Sequence, residues 1–414
     1  MSVRMSTSQL FSRGLNPMLD IQQQVSKTQE QISTNKRVLT PADDPIAATR
    51  ILQLNQELAG LGQYNSSLST LNSRLQREES ALGSVSDLIQ RAQELIGQSG
   101  NGALGHDQRK YIAVELQAVV DGMAQFMNAR DAGGEYLFSG FQGTEQPFVK
   151  DAEGRYQYQG DQGQRFIQVG PVTAVAANDS GHDVFMNVPS ATPTVNSSAS
   201  DSNQGQPPAS ISRVSVRDQA AFDDFYPESV VIDFRPADEI NPPGLNYTIT
   251  QVSDGRVLAQ NAEFASGRDI QVAGMSFRIE GRPAAGDSFK LESSNQKGLL
   301  EGLEDYIADL QRLGNSTGER EQLALSLENT INNLGKGQDQ LIKTTSAIGA
   351  RLNQVDATQA SNEDFELVVR TTLSELSDLD YAKAISQLSQ ESFVLEAAQT
   401  SFTRITRMSL FNLI

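Results

Sequence analysis

The chain contains neither cysteine nor tryptophan. The first absence excludes disulfides, thiolate nucleophiles and cysteine-ligated metals. Histidine is nearly missing too, with two residues in 414. His106 lies in "NGALGHDQRK" and His182 in "NDSGHDVF". Both contexts are rich in Gly, Asn and Asp, so both residues are expected in surface loops rather than in catalysis. Basic residues are scarce, 33 against 51 acidic, for a formal net charge of −18. A nucleic-acid partner would require a basic surface, so none is expected. No apolar run approaches the roughly 18 residues of a membrane span, and no membrane insertion is expected. The opening "MSVRMSTSQLFSRGLNP" has no apolar signal core or cleavage site. It suits a chain that stays in the cytosol or leaves by a route that keeps its N-terminus. No nucleophile–base pairing, phosphate loop or ligand cluster stands out, so neither enzyme chemistry nor a cofactor or metal is expected.

What the sequence does hold is helical periodicity at both ends. Phe11, Met18, Val25, Ile32 and Leu39 fall seven residues apart among Gln, Ser, Thr, Lys and Glu. Gly14 and Pro17 weaken the first turns, which places the start of the helix near Pro17. Leu54, Leu61, Leu68, Leu75, Leu82, Ile89 and Ile96 then keep strict heptad spacing, thickened by Leu58, Tyr64, Leu71, Val85 and Ala92. Such a seam predicts a long helix that supercoils left-handedly against partners. "GQSGNGALGHD" ends it, and Ile112, Leu116, Val119, Met123 and Phe126 mark a shorter helix. "GGEYLFSGFQGTEQPF" leads into a short strand and turn.

From about residue 149 that periodicity vanishes. "RFIQVG", "SVVIDF", "LNYTITQV", "IQVAGMSFRIEG" and "DSFKLESS" read as strands, separated by turn signals such as "NPPG" and "RPAAGD". The polar stretch 190–209 reads as a loop or disordered segment. Helices return after 295 with Leu299, Leu303, Tyr306 and Leu310. Leu327, Leu334, Leu341, Ile348 and Val355 follow at heptad spacing, with Ala324, Ile331 and Leu352 on the same face. This seam is the natural antiparallel partner of 54–96. Gly335, Gly337 and Gly349 inside it suggest tight packing or bending. "LSDLDYAKA" breaks the helix, with Ser377 and Asp380 as a start signal. A last helix carries Ala384, Leu388, Glu391, Leu395, Ala398, Phe402 and Ile405, with Glu391 the polar intruder. Both terminal stripes need a partner, each other or neighbouring subunits, and are expected to be labile alone.

"LTPADDPIAATR", residues 39–50, sets Asp43 and Asp44 before Pro45. Proline suits the first helical position, and Asp44 the N-cap, where its carboxylate meets backbone N–H groups and the helix dipole. Nothing in the flanks provides the differing environments of an acid–base pair or enough oxygens for a metal. The pair is read as a cap and connector.

These motifs resemble those of bacterial flagellar axial proteins. "RMSTSQLF", "NKRVLTPADDPIAATRIL", "GGEYLFSGFQGTEQPF" and the C-terminal "YAKAISQLSQESFVLEAAQTSFTRITRMSLFNLI" are most similar to the hook-associated protein 3 (FlgL) family. The likeness covers about 1–148 and 295–414; the middle is alike only in general character. Flagellins, the alternative, typically carry "DDAAG" where this chain has "DDPIAA". The resemblance implies an α + β multidomain fold: a coiled-coil bundle formed by both chain ends, with an inserted, mainly antiparallel β domain. Its expected parts are an N-terminal helix over 1–41 paired with 378–414, core halves 42–148 and 295–377, and the insertion 149–294. It implies a structural protein at the hook–filament junction, secreted and extracellular on the flagellum. Its partners would be the other hook-associated junction protein, flagellin, further copies in a ring-like layer, an export chaperone and the type III export apparatus. The assembly residues would be Phe11, Met18, Val25, Ile32, Leu388, Leu395, Phe402, Ile405, Leu410 and Phe411.

Overall fold

A computed structural model describes residues 7–151, 154–200 and 202–411, with the side chains of 7–11, 13, 191 and 405–411 left out. The longer helices are α1 (Thr7–Thr34), α2 (Pro45–Ser99) and α3 (His106–Met127), with α4 (Gln219–Phe225), α5 (Leu299–Arg312), α6 (Thr317–Ser377) and α7 (Tyr381–Phe411) following. Strands lie between α3 and α5: β1 (Phe148–Lys150), β2 (Tyr156–Tyr158), β3 (Phe166–Gln168), β4 (Ala174–Ala176), β5 (Pro189–Ala199), β6 (Ser210–Ile211), β7 (Ser215–Val216), β8 (Val230–Arg235), β9 (Asn246–Gln251), β10 (Val257–Glu263), β11 (Asp269–Val272), β12 (Met275–Glu280) and β13 (Ser288–Gln296). The chain is thus α + β, helical at both ends with an antiparallel β insertion. It divides into two compact units. The first is Met1–Ser69, Gln168–Thr173 and Val355–Ile414; the second is Thr70–Ile167 and Ala174–Gln354.

The first unit holds α1, α7, the start of α2 and the end of α6. Helix α1 begins at Thr7, ten residues before Pro17, and passes through both Gly14 and Pro17. Proline costs one backbone bond there. Gly14 has a packing role: a Cβ added to it would lie 2.9 Å from the Phe402 ring, so its absence lets that ring close on the α1 backbone. Leu54, Leu61, Leu68 and Val355 are buried. Asn362 Nδ2 reaches Asn65 Oδ1 at 3.4 Å, and Asn65 Nδ2 reaches Glu366 Oε2 at 3.5 Å, so α2 and α6 lie side by side here. The β3–β4 tip docks on the same helix, where Asn362 Nδ2 donates to the Val169 carbonyl.

In the second unit α2 and α6 run antiparallel. Gln338 Nε2 donates to Ser86 Oγ at 2.7 Å, and Leu327 packs on Gly100. Leu75, Leu82, Ile89 and Ile96 bury their stripe, as do Leu334, Leu341 and Ile348 opposite. Ala324 departs from the expected face and is exposed, while Leu323 and Thr330 are buried instead; α6 lies beside α5 here, with Ser326 Oγ donating to Asp309 Oδ2 at 2.6 Å. Of the three glycines, Gly337 lies directly under Leu299, whereas Gly335 and Gly349 have open space beside them. His106 is the first residue of α3 rather than a loop residue, a consequence of Gln108 capping the Gly105 N–H.

The β insertion belongs wholly to this unit apart from the β3–β4 tip. A five-stranded antiparallel sheet has the order β10-β9-β8-β13-β5; a second joins β11, β12 and β6, with β7 also pairing β12. Of residues 190–209, expected as loop or disorder, 190–199 belong to β5, the longest strand among the described residues, held along β13 from Phe289↔Ala199 to Gln296↔Pro189. Its Ser- and Thr-rich sequence gives little apolar signal, and its partner supplies the order. Helix α4, unanticipated, caps the core with Phe222 and Phe225. Phe264 and Phe289 meet Phe234 edge-on at 5.0 and 5.9 Å.

Candidate assembly interface

The polar junction below the terminal helix pair is built from short-range chemistry. Asp44 Oδ1 accepts the Ala47 N–H at 3.0 Å and its carbonyl the Ala48 N–H, which starts α2 at Pro45. Asp43 does different work. Its Oδ2 gathers the N–H groups of Leu39 and Thr40 and the Thr40 hydroxyl, folding the turn. Its Oδ1 faces Lys27 Nζ at 2.6 Å. Hydrogen bonding to Lys27 first, then to Thr40 and Leu39, lowers the Asp43 pKa to about 2. Arg37 donates to the Leu376 carbonyl through Nε and Nη2, and its N–H to the Ser377 carbonyl at 2.7 Å. The second break repeats the capping device: Asp380 Oδ1 accepts from Lys383 N–H at 3.1 Å. Ser377 therefore ends α6, and Asp380 alone serves as the cap.

Above the junction α1 and α7 pack on each other. Thr28, 3% exposed, donates to Glu391 Oε2 at 2.8 Å. Gln387 donates to the other carboxylate oxygen, and the Tyr381 hydroxyl to the Ile32 carbonyl. Met18, Val25 and Ile32 on α1, and Leu388, Leu395 and Phe402 on α7, are all half-buried. Phe11, Ile405, Leu410 and Phe411 lie outside the residues whose side chains are described.

Sequence periodicity missed a second, outward face. Ile385 is 54% exposed and Phe393 72%, with Tyr381, Val394 and Leu19 also open. Tyr381, Ile385 and Phe393 recur at intervals of four and eight, a signal masked by the stronger a/d stripe. Ile46, Leu52, Phe365, Leu367 and Val368 add exposed apolar surface on α2 and α6 of the same unit. The pair is also almost uncharged: Arg13, Lys27, Lys383, Arg404 and Arg407 stand against Asp20, Glu30, Glu391 and Glu396.

The remaining surface offers little chemistry. His182 contacts Asp183 at 3.1 Å and Gln162 at 3.3 Å. Among the described residues no group of three His, Cys, Asp or Glu could hold a metal, and no helix is long and apolar enough to cross a membrane. A cavity of about 120 Å³ in the β insertion is lined by Arg155, Arg213, Arg217 and Arg278. These arginines are committed to neighbours: Arg213 to Glu304, and Arg217 and Arg278 to Asp269.

Residues 5–143 match the family described as bacterial flagellin N-terminal helical region. The chain is 24% identical to the flagellar hook-associated protein 3 of Escherichia coli (strain K12), over 99% of both chains. It is 33% identical to the protein of the same name from Salmonella typhimurium, over 49% of this chain and 63% of that one, less than two thirds of the relative's length. The crystal structure of flagellar hook-associated protein 3 from Legionella pneumophila covers 79% of this chain and 98% of its own, at 27% identity and a TM-score of 0.53. Likeness to a flagellin, that of Listeria monocytogenes, is 28% over 96 residues, 33% of that protein, so the flagellin alternative is the less supported.

Proposed function

We infer that the chain, by kinship a hook-associated protein 3 of the bacterial flagellum, is a structural subunit of the junction layer between hook and filament. Its partners would be the other hook-associated junction protein on one side, flagellin on the other, and further copies around the layer. It would act without enzyme chemistry and outside the cell, having passed through the type III export apparatus with a chaperone. The observation that carries this reading is the outward apolar face of the terminal helix pair. Phe393 and Ile385 remain open although α1 and α7 already cover each other's seam, and exposed apolar surface of this kind marks a contact site. Phe11, Met18, Val25, Ile32, Leu388, Leu395, Phe402, Ile405, Leu410 and Phe411 would line the inner contacts, and Ile385 and Phe393 the outer ones.

The test is an Ile385→Ser/Phe393→Ser chain expressed in cells lacking the native protein. The expected result is normal helix content and export, with filament attachment and swimming lost. Unimpaired swimming would remove the outer face from the interface.

A further inference from the structure

The seam between α1 and α7 is almost wholly apolar, and apolar heptads slide. Its stripe repeats every seven residues, so moving α7 by one heptad offers α1 a nearly equivalent set of side chains. The exception is one polar pair. Thr28 is among the few polar residues fully buried in this unit, and its hydroxyl reaches Glu391 Oε2 at 2.8 Å. Glu391 Oε1 is held from its own helix by Gln387 at 2.8 Å, which aims the carboxylate across the seam. A shift of one heptad would carry Glu391 to the level of Ile21 or beyond the end of α1, and Thr28 to the level of Ala384 or Ala398. The first move strands both the hydroxyl and the carboxylate inside an apolar contact and the second strands the hydroxyl, the costly half of breaking a polar pair.

We infer that Thr28 and Glu391 fix the register of the terminal helix pair, and so determine which outer residues the pair presents to a neighbour. The outer residues that this register sets on α7 include Ile385 and Phe393. Their use as an interface rests on the function proposed above; the register itself does not.

The absence of cysteine allows a direct test on the full-length purified chain. Gly14→Cys with Phe402→Cys reports the observed register, since the Gly14 position touches that ring. Gly14→Cys with Leu395→Cys reports a slip of one heptad. With Thr28 and Glu391 in place, oxidation should join the first pair and leave the second almost unjoined. In a Thr28→Val/Glu391→Leu background the slipped product should rise about tenfold. Glu391→Gln, which retains an acceptor for Thr28, should restore the native ratio. A slipped product that stays rare in the apolar background, with helix content intact by circular dichroism, would overturn the assignment. So would Glu391→Gln behaving like Leu. If the apolar variant loses its helices, Thr28→Val alone decides by the same ratio. Because the readout is a cross-link within one chain, it stands or falls separately from localisation on the flagellum.

Discussion

Lys27 Nζ lies 2.6 Å from Asp43 Oδ1, joining the C-terminal third of α1 to the turn that opens α2. The carboxylate is held at a pKa of about 2, mainly by that lysine and by Thr40, against an ordinary value of 3.8. A depressed folded pKa contributes stability that is present above 3.8 and lost as pH falls through about 2. Asp43→Asn should therefore lower the melting temperature at pH 5 to 7 and converge with the native chain near pH 2. Thermal melts across that range check it; parallel curves would contradict it.

Glu78 has the opposite bias. It is fully buried on α2, accepts the Asp179 N–H at 2.9 Å, and stands near the Asp179–Arg351 ion pair. Burial, and then the Asp179 charge, push its pKa well above its ordinary value. A raised acid pKa makes folding less favourable as pH climbs from the unfolded value towards the folded one. Glu78→Gln keeps the shape and the acceptor but cannot ionise. The variant should be the more stable of the two at pH 8, with the advantage shrinking towards pH 4.

Two glycines on α6 predict opposite signs. A Cβ on Gly337 would meet Leu299 Cδ2 at 2.1 Å, so Gly337→Ala should cost about 1–3 kcal/mol through overpacking. Gly335 has nothing within 4 Å, and Gly335→Ala should stabilise by up to about 1 kcal/mol through helix propensity. Urea unfolding of both variants tests the pair together.

The caps should be separable from the seams. Asp44→Ala and Asp380→Ala each remove one carboxylate acceptor from a helix start and should cost about 1 kcal/mol, with Asn restoring most of it. Hydrogen exchange should quicken at Ala47 and Lys383, whose N–H groups lose their partners, while Leu75 and Leu341 stay protected.

The long seams were legible because burial follows heptad spacing: Leu54 through Ile96 and Leu334 through Val355 are buried at the periodic positions. The strand at 189–199 was not, since its order comes from pairing with β13 and its own residues are mostly Ser, Thr, Pro and Asn. The early start of α1 was hidden because Gly14 breaks helices in general but here admits Phe402. Asp43 and Asp44 could be placed at a helix start from sequence, yet the division of labour between them depends on Lys27, sixteen residues away. The outward Ile385 and Phe393 were obscured by a stronger stripe on the same helix.

The most direct measurement of the central claim is immunogold labelling of intact cells followed by electron microscopy. A single narrow band of gold where the hook meets the filament is the predicted result. Gold along the whole filament would make the chain a filament subunit, and label absent from the flagellum would contradict the account.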